Sequence, residues 1–359
     1  MSPRTESCAR VNAARDPELF WGLKGGGGGS LGVVTQVTLK THPLADAAGA
    51  VSGAIKAASD AGFRRLVRRF VDFYADALLN PHWGEEAHIR PGNVLHLSMV
   101  CQDLDPKTTT RTWEPFFAWA RADPKEYQFL EPAFAGAFEG LARSWWDVEK
   151  RRRFAPGSMI SDDRPGAPAT QAWWQGDQEQ VGMFLYGFES IWLPVALLAR
   201  PRRQVLTDAL FAASRHMEVQ LHFNKGLAGA PREAIAAARD TAMNPAALDA
   251  FALAIIATGG APRYPGLPGT PNDEDRAHRS AREIDAAARL LLEVAPAGGS
   301  YVSESNYFNP HWAHAFWGSN YRRLQKVKRA YDPEGLFFVH HGVGSEDWSA
   351  DGFTRLRSA

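Results

Sequence analysis

The sequence predicts an α+β protein built on an antiparallel sheet that helices cover on one face. Three observations lead there. Short β-type segments, among them "NVLHLSMVCQ" (93–102), "EVQLHFN" (218–224) and the buried-looking "AFALAIIATGG" (250–260), alternate with helical ones and return in hairpin fashion. In "AGFRRLVRRFVDFYADALLN" (61–80), Phe63, Leu66, Val67, Phe70, Val71, Tyr74 and Leu78 fall on or beside one helical face, with the arginines opposite. A chain of 359 residues is also long enough for two domains and a sizeable core.

Taken in order, Asp16-Pro17 before "ELFWGLK" reads as a helix start, because Asp can cap and Pro is tolerated in the first turn; Leu19, Phe20 and Leu23 then share a face. Gly25 or a neighbour ends it. Beyond the glycines, Val33, Thr35, Val37 and Leu39 alternate with Val34, Gln36, Thr38 and Lys40, a strand pattern closed by His42-Pro43. Gly27, Gly29 and Gly32 satisfy G-x-G-x-x-G, but that dinucleotide fingerprint needs a strand before it and a helix after it, and here the order is reversed. A flexible tether is excluded because the strand follows the glycines directly. What remains is a turn from which Cβ atoms are excluded, by φ > 0 or by the close approach of packed protein or a ligand.

Further along, "TTTRTWEPFFAWARA" (108–122) reads as a helix starting near a Thr cap, and "RRQVLTDALFAASRHM" (202–217) and "DEDRAHRSAREIDAAARLLLEVAP" (273–296) as further helices. Gly260 to Asp275 is a Pro/Gly loop. The run Lys150 to Arg153 reads as a solvated helix end, and His340-His341, adjacent in an expected strand, point to opposite faces, which argues against a two-His metal site. Lys plus Arg balance Asp plus Glu at 40 each, giving no reason to expect a nucleic-acid or anionic-membrane partner. Cys8 and Cys101 form neither a disulfide framework nor a metal-ligand pair. No apolar run is long enough to cross a bilayer, and the first residues lack the apolar stretch of a secretory signal.

The segment "YVSESNYFNPHWAHAFWGSNYRRLQKVKRAYDPEGLFFVHHGVGSEDW" (301–348) is the richest. A strand at "SYVSES" leads to an aromatic loop, a helix from about Asn320 to Tyr331, and a turn at Asp332-Pro333-Glu334-Gly335. Asn306, Asn320 and Tyr321 lie among Tyr301, Phe308, Trp312 and Trp317, which describes either a packed terminal subdomain or the wall of an aromatic ligand pocket.

This segment strongly resembles the berberine-bridge-enzyme-type C-terminal region of FAD-linked oxidases, whose pattern is close to W…(F/Y)xxNYxRLxxIKxxYDPxxxF. Likewise "DPELFWGLKGGGGGSLGVVTQVTLKTHP" resembles the last helix, turn and strand of that family's PCMH-type FAD-binding domain, with Ser30-Leu31 where the family usually has Asn-Phe. The resemblance implies residues 1–43 as the remnant of that domain, 44–298 as an α+β substrate domain, 299–348 as a segment returning to the flavin, and 349–359 as a tail. It places Gly28, Gly29, Ser30, Gly32 and Val33 near the adenosine-diphosphate part of FAD, where a diphosphate needs backbone donors at close range. Asn320 would reach the isoalloxazine edge and Tyr321 line the space above the ring, with Tyr301, Asn306 and Trp312 on the substrate side. The implied chemistry is hydride transfer from a small organic substrate to flavin, with a base taking a proton and O2 reoxidising the cofactor. Because "LHFNKGLAGA" lacks a carboxylate where one subfamily carries its glutamate, Tyr301 and Tyr321 are the candidate bases.

By the same resemblance most of the first FAD-binding subdomain would precede residue 1, leaving the strand at Val33 to Leu39 without partners and residues 1–45 aggregation-prone or partly disordered. Two functions follow: an FAD-linked oxidase whose activity needs that further part, or a non-catalytic α+β module that binds a small molecule or partner in its aromatic cleft.

Overall fold

The computed structural model describes residues 9–168, 170–261 and 273–356. Its strands are β1 (Ala47–Ala57), β2 (Trp83–Arg90), β3 (Val94–Gln102), β4 (Tyr127–Glu139), β5 (Met159–Ser161), β6 (Ala172–Trp174), β7 (Phe184–Pro194), β8 (Val219–His222) and β9 (Ala250–Gly260). Among the described residues, a seven-stranded antiparallel sheet runs β4-β1-β3-β2-β8-β9-β7, and β5 and β6 form a separate hairpin.

Helices Asp60–Phe73, Pro106–Arg121, Arg203–Ala213 and Glu274–Val294 bring their apolar faces to a core shared with the sheet, including Phe63, Phe70, Trp113, Phe116, Leu95 and Ile89. The first is capped by Ser59, whose side chain accepts from Gly62 N, an arrangement worth about 1 kcal/mol. The second is capped by Asp105, which accepts from Thr108 N at 2.8 Å, and not by a threonine as its sequence suggested. Asp takes that role because its carboxylate reaches an unbonded first-turn amide. The β9 segment is apolar on both faces because both are covered: helix Glu274–Val294 lies on one side, and Trp192, Met243 and Tyr301 cluster on the other.

Five further local expectations are corrected. The strand predicted at Val33–Leu39 does not form; the segment is extended and exposed, with Val33 at 78% and Leu39 at 79%, because no described strand lies beside it to complete its hydrogen bonds. "SYVSES" makes no strand but a tight turn closed by a Tyr301–Glu304 bridge. His340 and His341 are likewise not in a strand: His341 takes φ 58 and the rings stack at 3.9 Å, side by side instead of on opposite faces. Within the basic run, Arg151 is buried, its guanidinium 3.9 Å from the Trp145 ring centre, so packing claims one of these cations. The helix at Pro17–Leu23 forms as expected, yet Asp16 caps nothing and accepts from the Tyr331 hydroxyl. Most of the predicted 260–275 loop lies outside the described residues.

Candidate active site

The glycine turn is held from behind and bare in front. Behind it, Trp317 Nε1 donates to Gly25 O at 3.0 Å, Lys328 Nζ to Ser30 O at 2.7 Å, and Val343 N to Ser30 Oγ at 3.1 Å. Gly27 and Gly29 take φ of 79 and 74, conformations that cost most side chains about 1–2 kcal/mol. A Cβ on Gly29 would also stand 2.5 Å from Val339. Gly28 has neither constraint: its φ is not positive, and a Cβ there meets no atom within 4 Å. Among the described residues, the amides of Gly27, Gly28, Gly29, Leu31 and Gly32 make no hydrogen bond.

The turn is packed to the C-terminal segment through a small core in which Trp21 and Leu31 meet Phe316, Trp317, Leu324, Val327 and Val343. Helix Trp312–Trp317 fills it with Trp312, Phe316 and Trp317, and helix Tyr321–Tyr331 with Tyr321, Leu324 and Val327. A cleft of about 370 Å³ is left between the glycines, with Leu31 and Val34, and a wall made of Trp192, Met243, Asn244, Ser300, Tyr301 and Phe316. Tyr301 is the one titratable side chain among the described lining residues.

The predicted site residues separate into two groups. Gly28, Gly29, Gly32 and Tyr301 line the cleft. Tyr301 is fixed there by its amide, which donates to Ser190 Oγ at 3.0 Å, and by an edge contact with Trp192. Ser30 is buried and serves as the anchor just described, while Val33 points to solvent. Asn320 donates to Met243 O at 2.7 Å, tying the helix start to the wall. Asn306 donates to Glu189 at 2.7 Å. Trp312 stacks on His341 and meets Trp317 and Tyr321 edge-on. Tyr321 lies in the C-terminal core, its hydroxyl donating to Glu346 at 2.5 Å; burial, reinforced by that carboxylate, pushes its phenol well above the ordinary range, so it is a poor proton acceptor. His341 is held down to about 4 by burial and by the neighbouring His340.

Beside the wall stand two charged residues that the sequence reading passed over. Lys225 pairs with Glu304 and stands 5.5 Å from the centre of the Tyr301 ring. Behind them the face of the sheet opposite the main core carries Glu86, His88, His222 and Glu218 in mutual contact, with both histidines buried. Their sequence signal is the alternation in "VQLH", where Val219 and Leu221 face the core and Gln220 and His222 the other side. Among the described residues no cluster of side chains is arranged to hold a metal ion, and no helix is long and apolar enough to cross a membrane.

The fold is that of the VAO-type flavoproteins. A VAO-type flavoprotein from Myceliophthora thermophila C1 superposes with a TM-score of 0.66 at 20% identity, covering 94% of this chain and 54% of the other. The glucooligosaccharide oxidase of Acremonium strictum superposes at 0.60 with 15% identity, covering 93% and 63%. Residues 300–344 match the family described as berberine and berberine-like. The FAD-linked oxidoreductase penH of Penicillium thymicola is 24% identical over 354 residues, which is 96% of this chain and 53% of penH. A VAO-type flavoprotein oxidase of Thermothelomyces thermophilus is 44% identical over 80 residues, 21% of this chain and 14% of that one. Together these comparisons make the chain similar to the berberine-bridge-enzyme-like FAD-linked oxidoreductases, with the family's own pattern at residues 300–344. It spans about half the length of the curated relatives that it matches end to end.

Proposed function

We propose that this chain forms one side of the FAD site and the substrate wall of a flavin-dependent oxidoreductase acting on a small organic molecule, with O2 as the final electron acceptor. The observation that carries the reading is the front of the glycine turn. Gly28 is required neither by its backbone conformation nor by any neighbour, and the adjoining amides have no acceptor. A bare surface with unbonded N–H groups fits a dinucleotide laid against it. FAD, when bound, supplies the hydride acceptor.

The chain's own residues bind, orient and dry the site. Trp192, Met243, Tyr301 and Phe316 present an apolar, largely rigid wall to an organic substrate, and their burial of water strengthens each polar contact within. Tyr301 stands where it can hold or take a proton from the substrate. A second reading, a ligand-binding module without catalysis, draws on the same lining, since it offers no other titratable side chain.

The test is FAD uptake by the purified chain, read as flavin absorbance after gel filtration and as quenching of flavin fluorescence. Uptake that Gly28→Val abolishes supports the flavin site; a chain that stays colourless, or a Gly28→Val variant that takes up FAD normally, overturns it. Bound flavin that no substrate reduces favours the second reading.

A further inference from the structure

The polar groups of the cleft wall are committed in a way that leaves two of them open to a ligand. Ser190, buried in β7, has a single proton and gives it to the carbonyl of Glu304 at 2.5 Å, since a carbonyl can only accept. The same hydroxyl oxygen accepts from the Tyr301 amide at 3.0 Å and lies 2.9 Å from Ser300 Oγ. Ser190 has no proton left for Ser300, so that bond runs the other way, with Ser300 as its donor. This fixes the Ser300 hydroxyl. Its proton is spent inside the wall, and among the described residues nothing donates to its oxygen, although Ser300 lines the cleft.

Two residues further along the same face of β7, Trp192 supplies the complementary group. It is buried at 3% exposure and lines the same cleft, yet its Nε1 has no hydrogen-bond partner. Its ring meets Tyr301 edge-on, and Tyr301 follows Ser300 in the chain, so the three side chains are neighbours on one wall. Buried polar groups are nearly always hydrogen-bonded, and an orphaned donor on a cavity wall marks the place of a ligand acceptor. Asn244, the other buried polar side chain of the wall, is already satisfied: it donates to Ala315 O at 2.7 Å and accepts from the Ala246 amide at 3.0 Å.

We propose that Trp192 and Ser300 determine specificity by reading a hydroxyl group, so that the site takes a neutral alcohol with an apolar body. A hydroxyl can serve both: its oxygen accepts from the indole N–H, and its proton goes to Ser300 Oγ. An ammonium has no lone pair for Trp192, and an aldehyde or ketone has no proton for Ser300. Each leaves one wall group unpaired, which is the arrangement that discriminates most strongly between analogues. The pair therefore holds an alcohol more tightly than the carbonyl compound formed from it. The inference rests on this wall being the substrate side of the flavin site.

Benzyl alcohol, benzylamine, benzaldehyde and toluene share an apolar body small enough for a cleft of about 370 Å³ and differ in the one group at issue. NMR titration of the purified chain without added flavin reads their affinities. The indole N–H resonance of Trp192, identified by its loss in Trp192→Phe, reports the contact directly. Benzyl alcohol should bind tightest, by roughly two- to tenfold over toluene for each hydrogen bond made, and should move that resonance downfield where toluene does not. Ser300→Ala and Trp192→Phe should each cut the alcohol-to-toluene ratio by the same factor; reading the ratio within one variant cancels any loosening of the cleft. Benzyl alcohol that binds no better than toluene, or not at all, overturns the assignment, as does a ratio that both variants keep. If both variants lose FAD uptake while keeping the ratio, the pair serves the cofactor's own hydroxyls and the substrate assignment falls. If the chain holds no FAD, the flavin reading fails by itself and the alcohol titration still judges this one.

Discussion

Replacing Lys328 with methionine isolates what holds the glycine turn. The ammonium is buried, at 6% exposure for the residue, and donates to Ser30 O at 2.7 Å, Asp332 Oδ2 at 2.6 Å and Phe337 O at 2.6 Å. Methionine preserves the apolar stem but strands Asp332, itself buried, with only the amides of Leu336 and Phe337 as donors, each at 2.9 Å. Breaking a buried pair costs about 3–5 kcal/mol. The two amides that remain on the carboxylate argue for the lower end, while two carbonyls that lose a donor add about 1 kcal/mol each. A loss of about 5 kcal/mol is therefore expected, confined to the turn and the C-terminal segment, since the main core touches neither. Urea unfolding followed by tryptophan emission, with hydrogen exchange of residues 27–32, measures it. Adding Asp332→Asn should recover a large part by removing the stranded charge. A loss below about 1 kcal/mol, or no recovery in the double variant, refutes the reasoning.

Gly28→Val should leave stability within about 0.5 kcal/mol, because nothing lies within 4 Å of its Cβ, whereas Gly29→Ala should cost about 2 kcal/mol or more from its left-handed backbone and the Val339 contact; thermal unfolding separates the two. Burial alone would lower His88, but hydrogen bonds to Glu218 and Glu86 outweigh it and hold it at about 9, above the ordinary 6.5. Burial would raise Glu218, but His88 and Arg90 hold it at about 2, below 4.5. The His88 contribution is complete below about 6.5 and is lost as pH rises through about 9; that of Glu218 is complete above 4.5 and is lost as pH falls through about 2. Stability should be highest between those limits, and His88→Gln should flatten the alkaline limb of a denaturation series. In flavin-loaded protein, Tyr301→Phe should lower turnover about a hundredfold, while Tyr321→Phe should leave turnover nearly intact and cost about 1–2 kcal/mol of stability.

Helices with a sustained 3.6-residue period, such as Asp60–Phe73 and Glu274–Val294, were legible because their apolar stripes are independent of which partner covers them. Strands β3, β8 and β9 were legible through alternation or a continuous apolar run. β1, "AAGAVSGAIKA", and β2, "WGEEAHIR", were not: small or charged residues carry little strand preference, and it is their neighbours on both sides that make them strands. The reverse holds at Val33–Leu39, where strand-forming residues find no ladder.

By itself the sequence determined the α+β class, the glycine turn with its reversed order of helix and extended segment, and the family signature at the C-terminus, because each is a pattern within a short stretch of chain. Only the tertiary structure decided which side chains share a site. It showed Ser30, Asn320 and Tyr321 hydrogen-bonded within the protein, kept Tyr301 in the cleft, and paired Glu86 with His222 and Lys225 with Glu304. Contacts between residues far apart in the chain depend on strand order and register, and no local preference encodes either.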